Sequence, residues 1–214
     1  MIERGQFIVV EGLEGAGKST ALQTIKHYLE SFVPELVLTR EPGGTRVGEH
    51  VRQLLKEKVE GEALEPRCEL LMFYAARVQL LEQVIRPALN KGAWVLADRF
   101  ELSTYAYQGG GRKLDKQMIK HLSTFCLQGF KPDLILFLDI NPEQGLGRIK
   151  ERGETDRIEQ ESLAFFTDVY NAYHEMIRGM DNVVCIDAGQ AMETVQKSIL
   201  SALKTFVSHN PNAS

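Results

Sequence analysis

The sequence predicts an α/β fold, a three-layer sandwich built on a five-stranded parallel sheet. Three observations predict it. Five short apolar runs recur along the chain, at Phe7–Val10, Leu36–Thr39, Trp94–Ala97, Leu134–Leu138 and Val183–Ile186. Stretches with helical spacing separate them, and near-continuous apolar strands alternating with helices belong to a parallel sheet covered on both faces. The first run leads straight into Gly-Leu-Glu-Gly-Ala-Gly-Lys-Ser at residues 12–19, which is the phosphate-binding pattern G-x-x-x-x-G-K-[ST].

Taken in order, the first strand and glycine loop are followed by Thr20–Leu29, with Ala21, Leu22, Ile25 and Leu29 at helical spacing. Glu65-Pro66 opens a long helical stretch from about Arg67 to about Leu89. Gly109-Gly110-Gly111 is expected to break the chain between two helices. Asn141 is a good N-cap, Pro142 fits the first helical position, and Gly153 suits the stop. The polar tail from about 208 to 214 holds Asn-Pro-Asn and is expected to fray. No repeat, linker or second domain is evident, so one domain over 1–214 is expected.

Ligands of such sheets bind outside the C-terminal ends of the strands. Polar residues gather there: Glu11 after the first strand, Arg40 and Glu41 after the second, Asp98 and Arg99 after the third, Asp139 after the fourth. One shared crevice is the prediction. Within the glycine loop, Gly12, Leu13, Glu14, Gly15, Ala16 and Gly17 can turn backbone N–H groups toward a phosphate chain. Lys18 adds a cation toward the outer phosphates, and the Ser19 hydroxyl can ligate Mg²⁺ at the start of the helix that Thr20 continues.

The formal charge is −4 over 214 residues, which gives no general attraction to nucleic acid or to an anionic membrane. No apolar run approaches a membrane span, and Phe7–Val10 is too short for a signal peptide. Cys68, Cys126 and Cys185 are far apart, with no Cys-x-x-Cys. They are expected to be reduced thiols in or near the core of a cytoplasmic protein. The five histidines form no metal-ligand pattern.

A phosphate loop names a ligand class and not a reaction. A GTPase would carry Asn-Lys-x-Asp to read guanine, and here Asn90-Lys91 is followed by Gly92-Ala93. A motor ATPase would be larger or carry a second acidic residue beside Asp98, where this chain has Arg99. A carboxylate beside a guanidinium suits a site that handles both Mg²⁺ and a second phosphate.

Four further segments complete the pattern: Thr39-Arg40-Glu41-Pro42-Gly43-Gly44-Thr45, Phe73-Tyr74-Ala75-Ala76-Arg77, the run from Asp98-Arg99 to Ala106-Tyr107-Gln108-Gly109, and Arg148-Ile149-Lys150-Glu151-Arg152-Gly153. With the phosphate loop, they closely resemble bacterial thymidylate kinase, a P-loop nucleoside monophosphate kinase family, over nearly the whole chain. The resemblance implies transfer of the γ-phosphoryl of MgATP to dTMP in a homodimer, with a small helical lid at about 142–157. It implies that Phe73 stacks on thymine and Arg77 bonds the base edge, which their four-residue spacing on one helix permits. Ser103, Thr104 and Gln108 fall where the family adds polar contacts to the base, and Tyr107 where a ring packs on the sugar and disfavours a 2′-hydroxyl.

Arg40 and Arg99 match the arginines on the acceptor phosphate. Glu11 matches the acidic residue on the 3′-hydroxyl, with a second role in holding water on Mg²⁺. Pro42 lies in the turn that shapes the acceptor site. Ser19 and Asp98 are the implied metal-side residues. Some members carry a basic residue where this chain has Gly15; the alternative places arginines on the lid, where Arg148, Lys150 and Arg152 cluster. Arg152 is the favoured catalytic arginine beside Lys18, Asp98 and Arg99, with Arg148 on the ATP side. Arg157 has two readings, a hinge ion pair or an adenosine-side contact. Two rivals stay open: a kinase for another monophosphate, and a nucleotide-binding regulatory protein without turnover.

Overall fold

A computed structural model describes residues 4–58, 61–153 and 156–209, without the Arg152 side chain. The five predicted strands are all present: β1 (Phe7–Gly12), β2 (Leu36–Arg40), β3 (Trp94–Asp98), β4 (Leu134–Asp139) and β5 (Val183–Asp187). They form one parallel sheet in the order β2-β3-β1-β4-β5. β1 is central, and the chain turns to opposite sides of it for β3 and β4. That reversal opens a crevice at the C-terminal end of β1, where the glycine loop begins.

Side chains of β1 alternate between two cores. Ile8 and Val10 face the cluster built with α1 (Lys18–Leu29), α8 (Leu163–Ile177) and α9 (Met192–Ser208). Phe7 and Val9 face the second cluster, under the long helical stretch. All four are fully buried, and each contributes on the order of 1.5–3 kcal/mol of apolar burial. Their loss from water is what fixes the register of the central strand.

The long helical stretch is continuous: α3 (Pro66–Leu80), a π-turn at Leu81–Ile85, then α4 (Arg86–Asn90). The widened turn lies just before Pro87, which has no N–H for the helical ladder. The helix α2 (Arg46–Lys56) precedes α3, and its Arg52, Leu55 and Lys56 line the crevice.

The triple glycine lies at the end of the first of two helices, and the expected break falls just after it, at 112–115. These glycines complete a π-helical segment, Tyr105–Gly111, that continues α5 (Glu101–Thr104), and α6 (Lys116–Leu127) follows after a short turn. They also serve close packing: a Cβ on Gly110 would lie 2.5 Å from the Ala172 Cβ on α8.

The fourth strand feeds α7 (Pro142–Arg152). The Glu143 N–H donates to the Asn141 side chain at 2.9 Å, Pro142 opens the helix, and Gly153 ends it at φ 94°. At the C-terminus, α9 runs through Ser208, so the expected fraying does not begin there; residues 210–214 lie outside those described. The cysteines depart from expectation as well. Cys68 and Cys185 are exposed and Cys126 is half-buried, all as free thiols. Cys68 sits near the outer start of α3, and Cys185 is on the edge strand β5.

Candidate active site

The crevice is a cavity of about 700 Å³. Its wall includes Glu14, Gly15, Gly17, Lys18 and Ser19 from the glycine loop, Asp98 and Arg99 from the end of β3, and Phe73 and Arg77 from α3. Pro42, Ser103, Thr104, Tyr107, Gln108 and Arg148 complete the sequence-expected residues that it brings together.

The loop turns through left-handed backbone at Gly15 and Gly17, φ 75° and 85°, and α1 starts at Lys18. A Cβ on Gly15 would lie 2.2 Å from the Gly145 carbonyl oxygen of α7. A basic side chain at position 15 is therefore excluded by the helix above it, and α7 carries Arg148, which donates to the Gly15 carbonyl at 3.2 Å. Lys18 Nζ donates to the carbonyls of Gly12 and Leu13 at 3.1 and 2.7 Å. Burial, with the nearby Arg99 charge, pushes its pKa down to about 8.

Arg99 sits in the left-handed region at φ 67°, a strained conformation for a side-chain-bearing residue. Its N–H donates to the Val10 carbonyl at 2.9 Å, which ties β3's end to β1. Its guanidinium donates to Glu14 at 2.7 Å, to Ser103 at 3.0 Å and to the Tyr107 hydroxyl at 3.1 Å. The Tyr107 hydroxyl also donates to Glu14. Burial opposes the charge on Arg99, but the Tyr107 and Glu14 partners hold its pKa well above the usual arginine value. A permanent cation thus stands between the loop and the far end of the cavity.

At that far end Arg77 is almost wholly buried. It donates to Glu41 at 2.6 Å, to Thr104 Oγ1 at 2.9 Å and to the Phe100 carbonyl at 3.3 Å. Its guanidinium lies 5.0 Å from the Tyr74 ring centre and 5.5 Å from that of Phe100. Nη1 of Arg77 is a buried donor with no partner among the described residues. Phe73, one turn earlier, presents a half-buried ring to the same cavity. The ring and the open guanidinium together suit a planar base that carries a hydrogen-bond acceptor.

The chain that builds this glycine loop, central arginine and base-sized pocket matches the family described as thymidylate kinase over residues 10–199. The chain belongs to the thymidylate kinase family. Its reaction is the phosphorylation of dTMP, with ATP as phosphoryl donor. The thymidylate kinase of Legionella pneumophila strain Corby is 55% identical over 206 residues, covering 96% of this chain and 97% of the relative. That of strain Paris is 54% identical over the same span.

Some expected thymidylate kinase residues lie off the cavity wall. Glu11 is fully buried within β1. It accepts from the N–H groups of Phe100 and Ser103 at 2.9 and 3.2 Å, and from the hydroxyls of Ser103 and Tyr173 at 2.6 and 2.9 Å. It thus caps the start of α5. Of the two, Glu11 and Glu14, it is Glu14 that lines the cavity. Arg40 is half-exposed and pairs with Glu49 at 2.8 Å. Leu13 and Ala16 are core side chains, so only their backbone is available to a phosphate, and Thr20 is exposed on α1. Gly12 lies within β1. Asp139 pairs with His174 at 3.1 Å instead of joining the crevice. Pro42 follows a cis peptide bond. Arg157 donates to Glu69 at 2.5 Å and to the Leu55 carbonyl at 3.0 Å, which makes it a structural tie. The Arg152 side chain lies outside the described residues.

Arg52 is a wall residue that sequence reasoning missed; it donates to the Pro42 carbonyl at 2.9 Å. A signal existed, since Arg52 lies three residues before the buried Leu55 and so shares its helix face.

Proposed function

We propose that this family member transfers the γ-phosphoryl of ATP to dTMP within the one cavity, by alignment and charge stabilisation and without a general base. The attacking phosphate oxygen is already ionised, so the protein must position two anions, spread charge and exclude water. The observation that carries this is the location of Arg99, bonded to Glu14 of the phosphate loop and continuous with the pocket of Phe73 and Arg77.

The loop amides from Gly12 to Gly17, Lys18 and Arg148 hold the donor phosphates. Arg99 and Arg52 hold the acceptor phosphate, with Arg40 and Pro42 behind them. Phe73 stacks on the base, Arg77, Ser103, Thr104 and Gln108 read its edge, and Tyr107 packs on the sugar. Glu11 orients Ser103 from beneath. Arg152 supplies positive charge from α7 as the segment at about 142–157 closes.

Ser19 and Asp98 suit Mg²⁺. Asp98 Oδ1 is a buried oxygen with no partner among the described residues, and Ser19 is an exposed hydroxyl on the same wall. A hard cation prefers such oxygen donors. Bound there, it would neutralise charge on the donor phosphates.

The enzyme is read as a cytoplasmic homodimer. No helix among the described residues is long and apolar enough to cross a membrane. Leu70, Leu80, Leu81, Ile85 and Leu89 are core, but Leu71 on α3 and Met118 and Phe125 on α6 are exposed. Those neighbouring helices offer the pairing face, and sedimentation at several concentrations tests it: a strictly monomeric species refutes it.

Steady-state kinetics of Arg152→Ala test the lid assignment. A strong fall in kcat with dTMP KM little changed is expected. A large rise in KM at unchanged kcat would make Arg152 a binding residue.

A further inference from the structure

Glu69 is an almost fully buried carboxylate on α3, outside the residues described so far as touching substrate. Four donor contacts converge on it. Gln108 Nε2 donates to Oε1 at 2.8 Å, Arg112 donates at 3.2 Å to Oε1 and at 3.3 Å to Oε2, and Arg157 donates to Oε2 at 2.5 Å. Burial works against its charge, but the Gln108 hydrogen bond and the two arginines hold its pKa below the usual carboxylate value. At neutral pH it is therefore ionised and accepts only.

That property settles the orientation of its neighbour. Gln108 is itself almost fully buried and lines the cavity. A side-chain amide has a donor end and an acceptor end. With a carboxylate 2.8 Å away, the donor end must face Glu69, because a turned amide would set two acceptors against each other. The Gln108 carbonyl oxygen is then on the other side and accepts no hydrogen bond among the described residues. Arg77, whose Thr104 contact lies one turn before Gln108, brings to the same pocket Nη1, a donor without a partner among the described residues.

We propose that Glu69 is a positioning residue for base selection: it locks the Gln108 amide with its carbonyl toward the acceptor, so that the pocket offers one donor and one acceptor. Thymine and uracil present a carbonyl next to a ring N–H, which satisfies both. Cytosine presents an amino group next to a bare ring nitrogen, which mismatches both. The inference rests on the acceptor-site reading above, and it adds the residue that sets the polarity of that site.

The test compares kcat/KM for dTMP and dCMP in the wild-type enzyme, Glu69→Gln and Arg112→Gln. A glutamine at 69 can donate or accept, so Gln108 is free to turn. The dTMP:dCMP ratio is expected to fall about tenfold or more in Glu69→Gln. Arg112→Gln breaks the same ion-pair cluster but leaves the Glu69–Gln108 bond. It is expected to keep the ratio within about twofold, whatever it costs in rate or melting temperature. An unchanged ratio in Glu69→Gln, or an equal fall in Arg112→Gln, overturns the proposal and leaves the acceptor site standing. A wild-type enzyme without preference for dTMP over dCMP overturns both. If Glu69→Gln does not fold, NMR of the wild-type enzyme with dTMP decides. Contacts from the Gln108 side-chain amide protons to the Glu69 side chain support the proposal, and their absence overturns it.

Discussion

Arg99 and Glu14 form an ion pair at 2.7 Å that joins the end of β3 to the glycine loop. A phosphate that reaches Arg99 meets a guanidinium already shared with a loop carboxylate. The pair therefore couples occupancy of one subsite to the geometry of the other.

Arg99→Ala removes the central cation and leaves Glu14 facing incoming phosphate. Loss of a bidentate charged contact plus that repulsion is expected to cost about 3–5 kcal/mol, or roughly 10²–10⁴ in kcat/KM for dTMP. Lysine at the same position should recover only part of it, because an ammonium cannot fork between two oxygens. Steady-state kinetics with varied dTMP check both outcomes.

Phe73→Ala should act on the acceptor alone. An aromatic platform under a base is worth on the order of 1–3 kcal/mol, so kcat/KM for dTMP should fall by about 5- to 150-fold. The KM for ATP should stay within about twofold if the ring acts, as proposed, on the acceptor alone. Varying each substrate separately measures this.

Lys18 gives a pH signature. Its pKa in the free enzyme is about 8, below the ordinary lysine value of 10.5, and only its protonated form attracts phosphate. Below about 8 the cation is present; above it, the apparent ATP affinity should fall by about tenfold per pH unit. Binding above that pH should also take up protons, since a polyanion raises the lysine pKa. Calorimetric titrations in two buffers of different ionisation enthalpy detect the uptake.

Most of the fold was legible in the chain because its cues are local. The five apolar runs became the five strands, and Asn141, Pro142 and Gly153 marked both ends of α7. The phosphate loop was legible for the same reason, whereas Phe73 and Arg77 were singled out only by the family resemblance, since their spacing alone fits a core ring and a surface charge equally. Contacts between distant residues were not legible. Glu69 lies 39 residues from Gln108 and 88 from Arg157, and no spacing rule pairs them. The resemblance placed Glu11 at the sugar and left Glu14 as loop backbone, whereas the fold turns Glu11 inward and the Glu14 side chain toward the cavity. The triple glycine marked the break one residue early, because these glycines also serve close packing, and α8 lies against them.

Glu41 carries the other pH signature. It is buried against Arg77, and burial pushes its pKa from 4.5 up to about 7 against the pull of that arginine. A raised folded-state pKa gives stability that is full below about 4.5 and is lost as pH rises through about 7. Glu41→Gln should flatten this slope in urea melts taken across that range. Glu41→Ala leaves Arg77 as a buried charge without its carboxylate and should destabilise by about 3–5 kcal/mol.

The most direct test of the central claim is coupled ADP release with MgATP, run with dTMP, dUMP, dCMP, UMP and no acceptor. Release confined to dTMP, with weak activity on dUMP, is the predicted result. Equal release with and without any acceptor would mean plain ATP hydrolysis, and the assignment of Arg99, Phe73 and Arg77 to a phosphoryl acceptor would be contradicted.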